Sequence, residues 1–430
     1  MTAREYLRSR SWLGQKFGLR TMRKLVEALG HPERSFRSVL IAGTNGKGSV
    51  SAYLDAALRA SGLTVGCYTS PHLIDIRERI TVSGRLIGAA AFERLVLRVR
   101  DCAERLVRRG AIPAHPNHFE ILTAVGFLFF EEQSVDVAVL EVGLGGRLDA
   151  TNVSNPLVSA IVSIDFDHEE FLGPTLASIA REKAGVARRG RALVIGPMAD
   201  EARDAIRDIS DAKGARVVNA FAGVTVEASA RELNIRTPRG RFDGVRSLPG
   251  VHQRTNLVVA IRVLEALRGA GVDIPLRDAV AAMSTATWPG RLERFEGPPT
   301  FLLDGAHNPA GAAALAAYLR GRRKKHLLVF GAMRDKHIDE MAEELFPLAR
   351  LVIATRVHMK RAATTDHLAR IAAGLRVDVV EEPSIPKALA LARRLARRGE
   401  VTVVAGSLYL VGAARRWLLA RPGRGLRTKR

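Results

Sequence analysis

With 430 residues and 47% of them hydrophobic, the chain is longer than one hydrophobic core usually serves; this excludes a small stapled scaffold and favours two domains. Its only two cysteines, Cys67 and Cys102, stand in neither a C-x-x-C nor a metal-finger spacing, which excludes a disulfide framework and a zinc finger and fits a reducing cytoplasm. The formal charge of +22 attracts polyanions, yet aromatics are only 5% and no aromatic-interleaved basic patch or recognition motif appears, so no nucleic-acid partner is expected.

The N-terminus carries charge at once and lacks an apolar core of the signal-peptide kind, and the longest apolar stretch, Ile121 to Phe130, is too short to span a bilayer. Neither export nor a membrane span is expected. Short apolar runs then alternate with helical patterns: 39–42, 135–140, 158–164 and 193–195 before position 200, and 301–303, 327–330, 351–354, 377–380 and 401–405 after position 300. This rhythm predicts an α/β chain. An N-terminal domain with a mostly parallel sheet, residues 1–290, is followed by a smaller α/β domain, residues 291–430. Proline and glycine in Trp288-Pro-Gly-Arg291 mark the junction. A basic tail occupies 421–430.

After the first run comes Gly43-Thr-Asn-Gly-Lys-Gly-Ser49, then a helix with Val50, Tyr53, Leu54, Ala57 and Leu58 on its apolar face. Glycines let backbone N–H groups turn toward a phosphate, the helix N-terminus adds its dipole, and Lys47 supplies a point charge for the β- and γ-phosphates. Gly48 follows the lysine where a hydroxyl residue is usual, so Ser49 takes the hydroxyl role. Three candidates for a hard cation stand after apolar runs, where open parallel sheets place ligand-binding groups: Ser70, Glu141 and His168. The helical stripe Leu176, Ile179, Ala180 and Lys183 puts an ammonium on an apolar face. Such a lysine is either chemically employed or snorkels to the helix end.

Together these motifs resemble the folylpolyglutamate synthase and dihydrofolate synthase family, a branch of the Mur-type ligases. The resemblance rests on 42–49, Ser70-Pro-His-Leu73, the glycine-rich segment Glu141 to Asn152, Asp167-His168, Glu182-Lys-Ala-Gly185, Leu248-Pro-Gly-Val-His-Gln253 with Asn256, Pro289-Gly-Arg291, Leu303-Asp-Gly-Ala-His-Asn-Pro309 and Gly406 to Gly412. It implies that Gly43, Thr44, Asn45, Gly46, Lys47, Gly48 and Ser49, with Asn256, Arg291 and Asp304, hold ATP. It further implies two Mg²⁺ ions, one on Ser70 and Glu141 and one on His168, with Lys183 carried as a CO₂-derived carbamate. Lys47, Arg291 and His307 are the implied catalytic groups, with His307 and Asn308 in the cleft between domains. Phe119, Glu120, Leu148, Asp149 and Ala150 fall in segments that approach the pterin substrate. Asp165 and Phe166 depart from the family pattern, which has a small residue and a leucine there.

The implied reaction phosphorylates a folate-type carboxylate with ATP and lets the amino group of L-glutamate attack the acyl phosphate, releasing ADP and phosphate. Closure of the two domains would exclude water. The implied partners are folate or dihydropteroate, L-glutamate and ATP, acting on a cytoplasmic monomer. A cell-wall Mur ligase and a nucleic-acid-dependent P-loop ATPase are the competing readings. Ser70-Pro-His-Leu73 opposes the first, and Asp304 to Pro309 the second.

Overall fold

A computed structural model describes residues 2–10, 18–229, 232–321, 325–420 and 427–428. The chain divides into two compact units, Met1–Pro71 with Arg77–Ser247 and Thr255–Ala286, and His72–Ile76 with Leu248–Arg254 and Thr287–Arg430. Each has its own sheet.

The first unit holds β1 (Arg37–Ala42), β2 (Val65–Tyr68), β3 (Ile80–Val82), β4 (Arg85–Leu86), β5 (Val137–Glu141), β6 (Val158–Ile161), β7 (Ala192–Ile195) and β8 (Arg216–Asn219). Their order is β4-β3-β2-β5-β1-β6-β7-β8. The run from β2 to β8 is parallel, and β3 and β4 are antiparallel additions at one edge. Val39 pairs with Val139 on one side and Val158 on the other, and Val39 to Ala42 are all buried, as expected of a central strand covered on both faces. The helix His118–Glu132 accounts for the longest apolar stretch: Glu120 to Phe130 are buried around its whole circumference, so it is a core helix. Among the described residues no helix is long and apolar enough to cross a membrane.

The same unit contains a small antiparallel sheet that periodicity had not suggested, β9 (Thr225–Ala228), β10 (Leu233–Thr237) and β11 (Gly240–Val245). Along β10 only Leu233, Ile235 and Thr237 are buried, so the apolar signal is half that of a parallel strand.

The second unit holds β12 (Glu293–Glu296), β13 (Thr300–Leu303), β14 (His326–Phe330), β15 (Ala349–Ala354), β16 (Val379–Glu381), β17 (Val401–Ala405) and β18 (Arg427–Thr428), ordered β16-β15-β14-β17-β13-β12-β18. The first five in that order are parallel, and β12 is antiparallel to both its neighbours. Two apolar layers flank this sheet, one around Phe330, Phe346 and Leu315 and one around Phe301, Leu389 and Leu410. Of the basic tail, only Arg427 and Thr428 are described, as the edge strand; the rest lies outside the described residues.

Candidate functional site

The carboxyl ends of β1, β2, β5 and β6 gather most of the residues singled out in the first unit. Beyond Ala42 the chain turns at Gly43 (φ 144°), where a Cβ would lie 3.1 Å from the backbone nitrogen of Val162. Only glycine allows that approach in that conformation. Gly46 (φ 84°) starts the helix Lys47–Ala60, and the Asn256 side chain packs directly against its Cα, which brings Asn256 to the loop. Ser49 is buried in the first helical turn.

The loop is laced to the segment that follows β6. Thr44 N donates to Ser163 O (2.9 Å), Asn45 N to Ser163 Oγ (3.0 Å), Thr44 Oγ1 to Asp165 O (3.1 Å) and Asp165 N to Thr44 Oγ1 (3.1 Å). These bonds explain why the apolar run predicted to 164 stops pairing at Ile161. Asp165, the departure from the family pattern, faces the loop. Burial pushes its carboxyl up, as does Asp167 nearby, while hydrogen bonds from Asn45 and Ser163 and the charge of Lys183 pull it back.

Two ammonium groups converge on one carbonyl. Lys47 Nζ donates to Gly43 O (2.9 Å) and Thr44 O (3.0 Å), and Lys183 Nζ donates to the same Gly43 O (3.1 Å). Lys183 is only 5% exposed, so it does not snorkel. Burial, reinforced by the charge of Lys47, lowers its pKa from 10.5 to about 7, against the opposing pull of Asp167, Asp149 and Asp165. Its helix, Leu176–Ala184, begins with a capping box between Thr175 and Ser178.

Ser70 N donates to Glu141 Oε2 (3.2 Å), which joins the ends of β2 and β5. Glu141 is buried. His168 caps a short helix in the left-handed region (φ 55°), with Nε2 3.8 Å from Asp167 Oδ1. Among the described residues no three His, Cys, Asp or Glu side chains form a metal-holding group. The donor set present, a hydroxyl, a carboxylate and an imidazole on separate strand ends, still fits Mg²⁺, which takes few protein ligands and fills its shell with water and phosphate oxygens.

The segments expected to approach a substrate are largely turned on themselves. Asp149 is buried; its Oδ2 accepts from Gly143 N and Leu144 N (3.0 Å each), and its Oδ1 from Thr151 N (3.0 Å) and Thr151 Oγ1 (2.6 Å). Ala150 opens the short turn that follows, and Leu148 is half-buried. Glu120 accepts from Asn117 N (2.8 Å) in the capping box of its helix. Phe119 packs its ring on Gly143 and 5.9 Å from Tyr68. Sequence reasoning passed over Arg188, whose Nη2 donates to Asn152 Oδ1 (2.7 Å), Asn152 O and Ser154 O and ties this loop to the segment after Lys183. No periodicity signals such a long-range clamp.

A second group lies in the second unit. Asp304 follows β13 and is buried; its Oδ2 accepts from Leu292 N and its Oδ1 from Ala306 N, both at 2.9 Å. Burial pushes its carboxyl up and the charge of Arg291 opposes this. The Arg291 guanidinium lies on the Cα of Gly305, where a Cβ would meet Nη1 at 2.6 Å. His307 Nδ1 is 2.8 Å from Gly305 O. Asn308 is the N-cap of the helix Pro309–Arg320, accepting from Gly311 N (2.8 Å). Arg291, Asp304 and His307 therefore surround one glycine.

Residues 290–408 match the Mur ligase, glutamate ligase domain family. The dihydrofolate synthase/folylpolyglutamate synthase of Bacillus subtilis is 33% identical over 426 residues, covering 97% of this chain and 98% of that protein. A probable bifunctional folylpolyglutamate synthase/dihydropteroate synthase of Haloferax volcanii is 36% identical over 93% of this chain and 48% of its own length, so the chain spans about half of that relative. Among solved structures, Mycobacterium tuberculosis folylpolyglutamate synthase complexed with ADP superposes with a TM-score of 0.89 at 32% identity, covering 98% of each chain. A bifunctional folylpolyglutamate synthase/dihydrofolate synthase with Mn, AMPPNP and L-glutamate bound gives 0.87 at 27% identity over 97% of this chain and 98% of that one.

Proposed function

The chain belongs to the folylpolyglutamate synthase/dihydrofolate synthase family, and from that premise we propose that it is an ADP-forming ligase joining L-glutamate to folates and to dihydropteroate. The observation that carries this reading is the convergence of Lys47 and the buried Lys183 on the Gly43 carbonyl, beside the Ser70–Glu141 contact.

The ATP γ-phosphoryl group passes to a carboxylate oxygen of the folate or pteroate, giving an acyl phosphate and ADP. The glutamate amine then attacks the acyl carbon, phosphate leaves with the C–O electron pair, and the nitrogen loses its proton. Lys47 exchanges the carbonyls of Gly43 and Thr44 for the β- and γ-phosphates and offsets their charge. Asn256 steadies the loop at Gly46. In the second unit Arg291 offsets charge on the transferring group, Asp304 receives the ribose, and His307 serves the reacting groups. Mg²⁺ would supply charge neutralisation on the phosphates when bound; Ser70 and Glu141 would hold one ion and His168 a second.

Lys183, as a carbamate, would add an anionic oxygen ligand for Mg²⁺. A pKa of about 7 leaves a substantial share of the amine neutral at physiological pH. The neutral nitrogen adds to the carbon of CO₂ and releases a proton, converting a buried cation into an anionic oxygen donor. Phe119, Glu120, Leu148, Asp149 and Ala150 shape the pterin side. For Glu120 and Asp149 the structure supports an indirect part, because their carboxylates hold their own backbone. Residues 1–290 form the ATP-binding part and 291–430 the glutamate-ligase part of a cytoplasmic monomer that needs no nucleic acid.

The test is ADP release by purified protein with MgATP and L-glutamate, adding dihydropteroate or tetrahydrofolate and weighing the products. Turnover with both substrates is the expected result. ATP use with neither overturns the reading and returns a cell-wall precursor as the acceptor to try.

A further inference from the structure

The helix Val251–Gly269 brings Asn256 to the phosphate loop near its start, and near its end it borders a cavity of about 380 Å³ that is open to solvent, lined by the exposed Arg239, Arg268 and Gly269 and by the buried Leu276. Arg268 lies twelve residues beyond Asn256, about 18 Å along a helix that rises about 1.5 Å per residue. The cavity is therefore separate from the loop.

Its charge is uncompensated. Some surface arginines pair with carboxylates, as Arg94 does with Glu132, Arg147 with Glu182 and Arg241 with Asp243. Among the described residues neither the Arg239 nor the Arg268 guanidinium has a hydrogen-bond or ion-pair partner. Capping the helix does not employ them: Ala270 N donates to Ala266 O and Leu267 O, Gly271 N to Arg268 O and Val272 N to Leu267 O.

The wall is also built. Arg239 stands in the turn between β10 and β11, whose Thr237 Oγ1 accepts from Arg239 N (3.2 Å) and donates to Glu265 Oε1. Glu265 in turn pairs with Arg262, and both are buried. Arg262 Nε, inside this network, has no partner. The Arg239 guanidinium rests against Gly269, where a Cβ would come within 3.3 Å of Nη1, and the side chain of Leu276 supplies a buried apolar floor. Two guanidinium groups, each able to bind an anion bidentately, over a small apolar floor suit a compact organic polyanion.

We propose that this cavity is an anion site that takes a small molecule carrying two or more carboxylate or phosphate groups. Two sources share that chemistry, a carboxylate-rich γ-glutamyl chain such as the ligase product proposed above, and a phosphate compound. The site does not depend on the ligase reading, because binding is measured without turnover.

The experiment is calorimetric titration of the full-length protein, saturated with ADP, with tri-γ-glutamate and separately with inorganic pyrophosphate. It is repeated on Arg239→Gln/Arg268→Gln and on Gly269→Leu, which obstructs the cavity beside Arg239 and keeps the charges. Binding of either probe should weaken about tenfold or more in both variants, with ADP affinity changed less than about twofold. The probe that binds more tightly identifies the source. No binding of either probe to the wild-type protein overturns the proposal, as does equal binding by Gly269→Leu, which would assign the effect to diffuse surface charge.

Discussion

The two glycine-rich loops at the carboxyl ends of β1 and β5 differ in where their anion comes from. The loop 143–152 carries Asp149, whose carboxylate accepts from three backbone N–H groups and a hydroxyl of the same loop. The loop 43–49 contains no acidic residue. Its outside support comes from Ser163 and Asp165 on one side and from the Lys183 ammonium on the Gly43 carbonyl, to which the loop's own Lys47 also donates. Glycine permits both loops to fold tightly; the presence or absence of an internal carboxylate decides whether a loop is closed on itself or suited to a phosphate brought by substrate.

The largest effect expected separates the two loops by function and stability. Lys47→Ala should lower turnover by about 10³-fold or more with little change in the denaturant midpoint, because it removes charge that acts on the transferring phosphoryl group. Asp149→Ala should do the reverse in kind, costing about 3 kcal/mol or more of stability as several buried donors lose their acceptor. Unchanged stability in Asp149→Ala would erase the contrast, as would near-normal turnover in Lys47→Ala.

A second test concerns the lysine shared with the phosphate loop. In the folded protein Lys183 titrates near 7 and in the unfolded chain near 10.5, so between those values the unfolded chain binds the proton more strongly and stability rises with pH. Below pH 7 the full cost of the buried charge is present. Lys183→Met, measured against wild type by denaturation in CO₂-free buffer, should therefore be the more stable at pH 6, by on the order of 3 kcal/mol, and lose that advantage by pH 10. A difference independent of pH would refute this account.

The smallest effect sharpens the role of the outside support. Ser163→Ala removes the acceptor for Asn45 N and should weaken ATP binding about fivefold, roughly 1 kcal/mol, with turnover at saturating ATP nearly kept. A fall in turnover without a change in ATP affinity would show that Ser163 acts on the chemistry rather than on the loop.

Much of this architecture was legible before any coordinates. The runs at 39–42, 193–195, 327–330 and 401–405 lie in β1, β7, β14 and β17, since strands covered on both faces leave unbroken apolar runs. The glycine loop between β1 and its helix was legible for the same reason: its signal is local. The sheet β9–β11 was not, because β10 buries only alternate residues, β11 only Phe242 and Val245, and β9 none. Expecting a strand as far as 164 failed because Ser163 to Asp165 bond to Thr44 and Asn45 across more than a hundred residues of sequence.

The sequence by itself determined the parallel α/β plan, the phosphate-type loop and an apolar stripe that carries Lys183. Only the tertiary structure decided that the Lys183 ammonium meets the carbonyl of Gly43, that Asp149 is spent on its own loop, and that Arg239 and Arg268 share a cavity. The physical reason is range: hydrophobic period and turn chemistry act over a few residues and leave a pattern in the chain, whereas a buried charge meets its partner through packing that brings distant segments together.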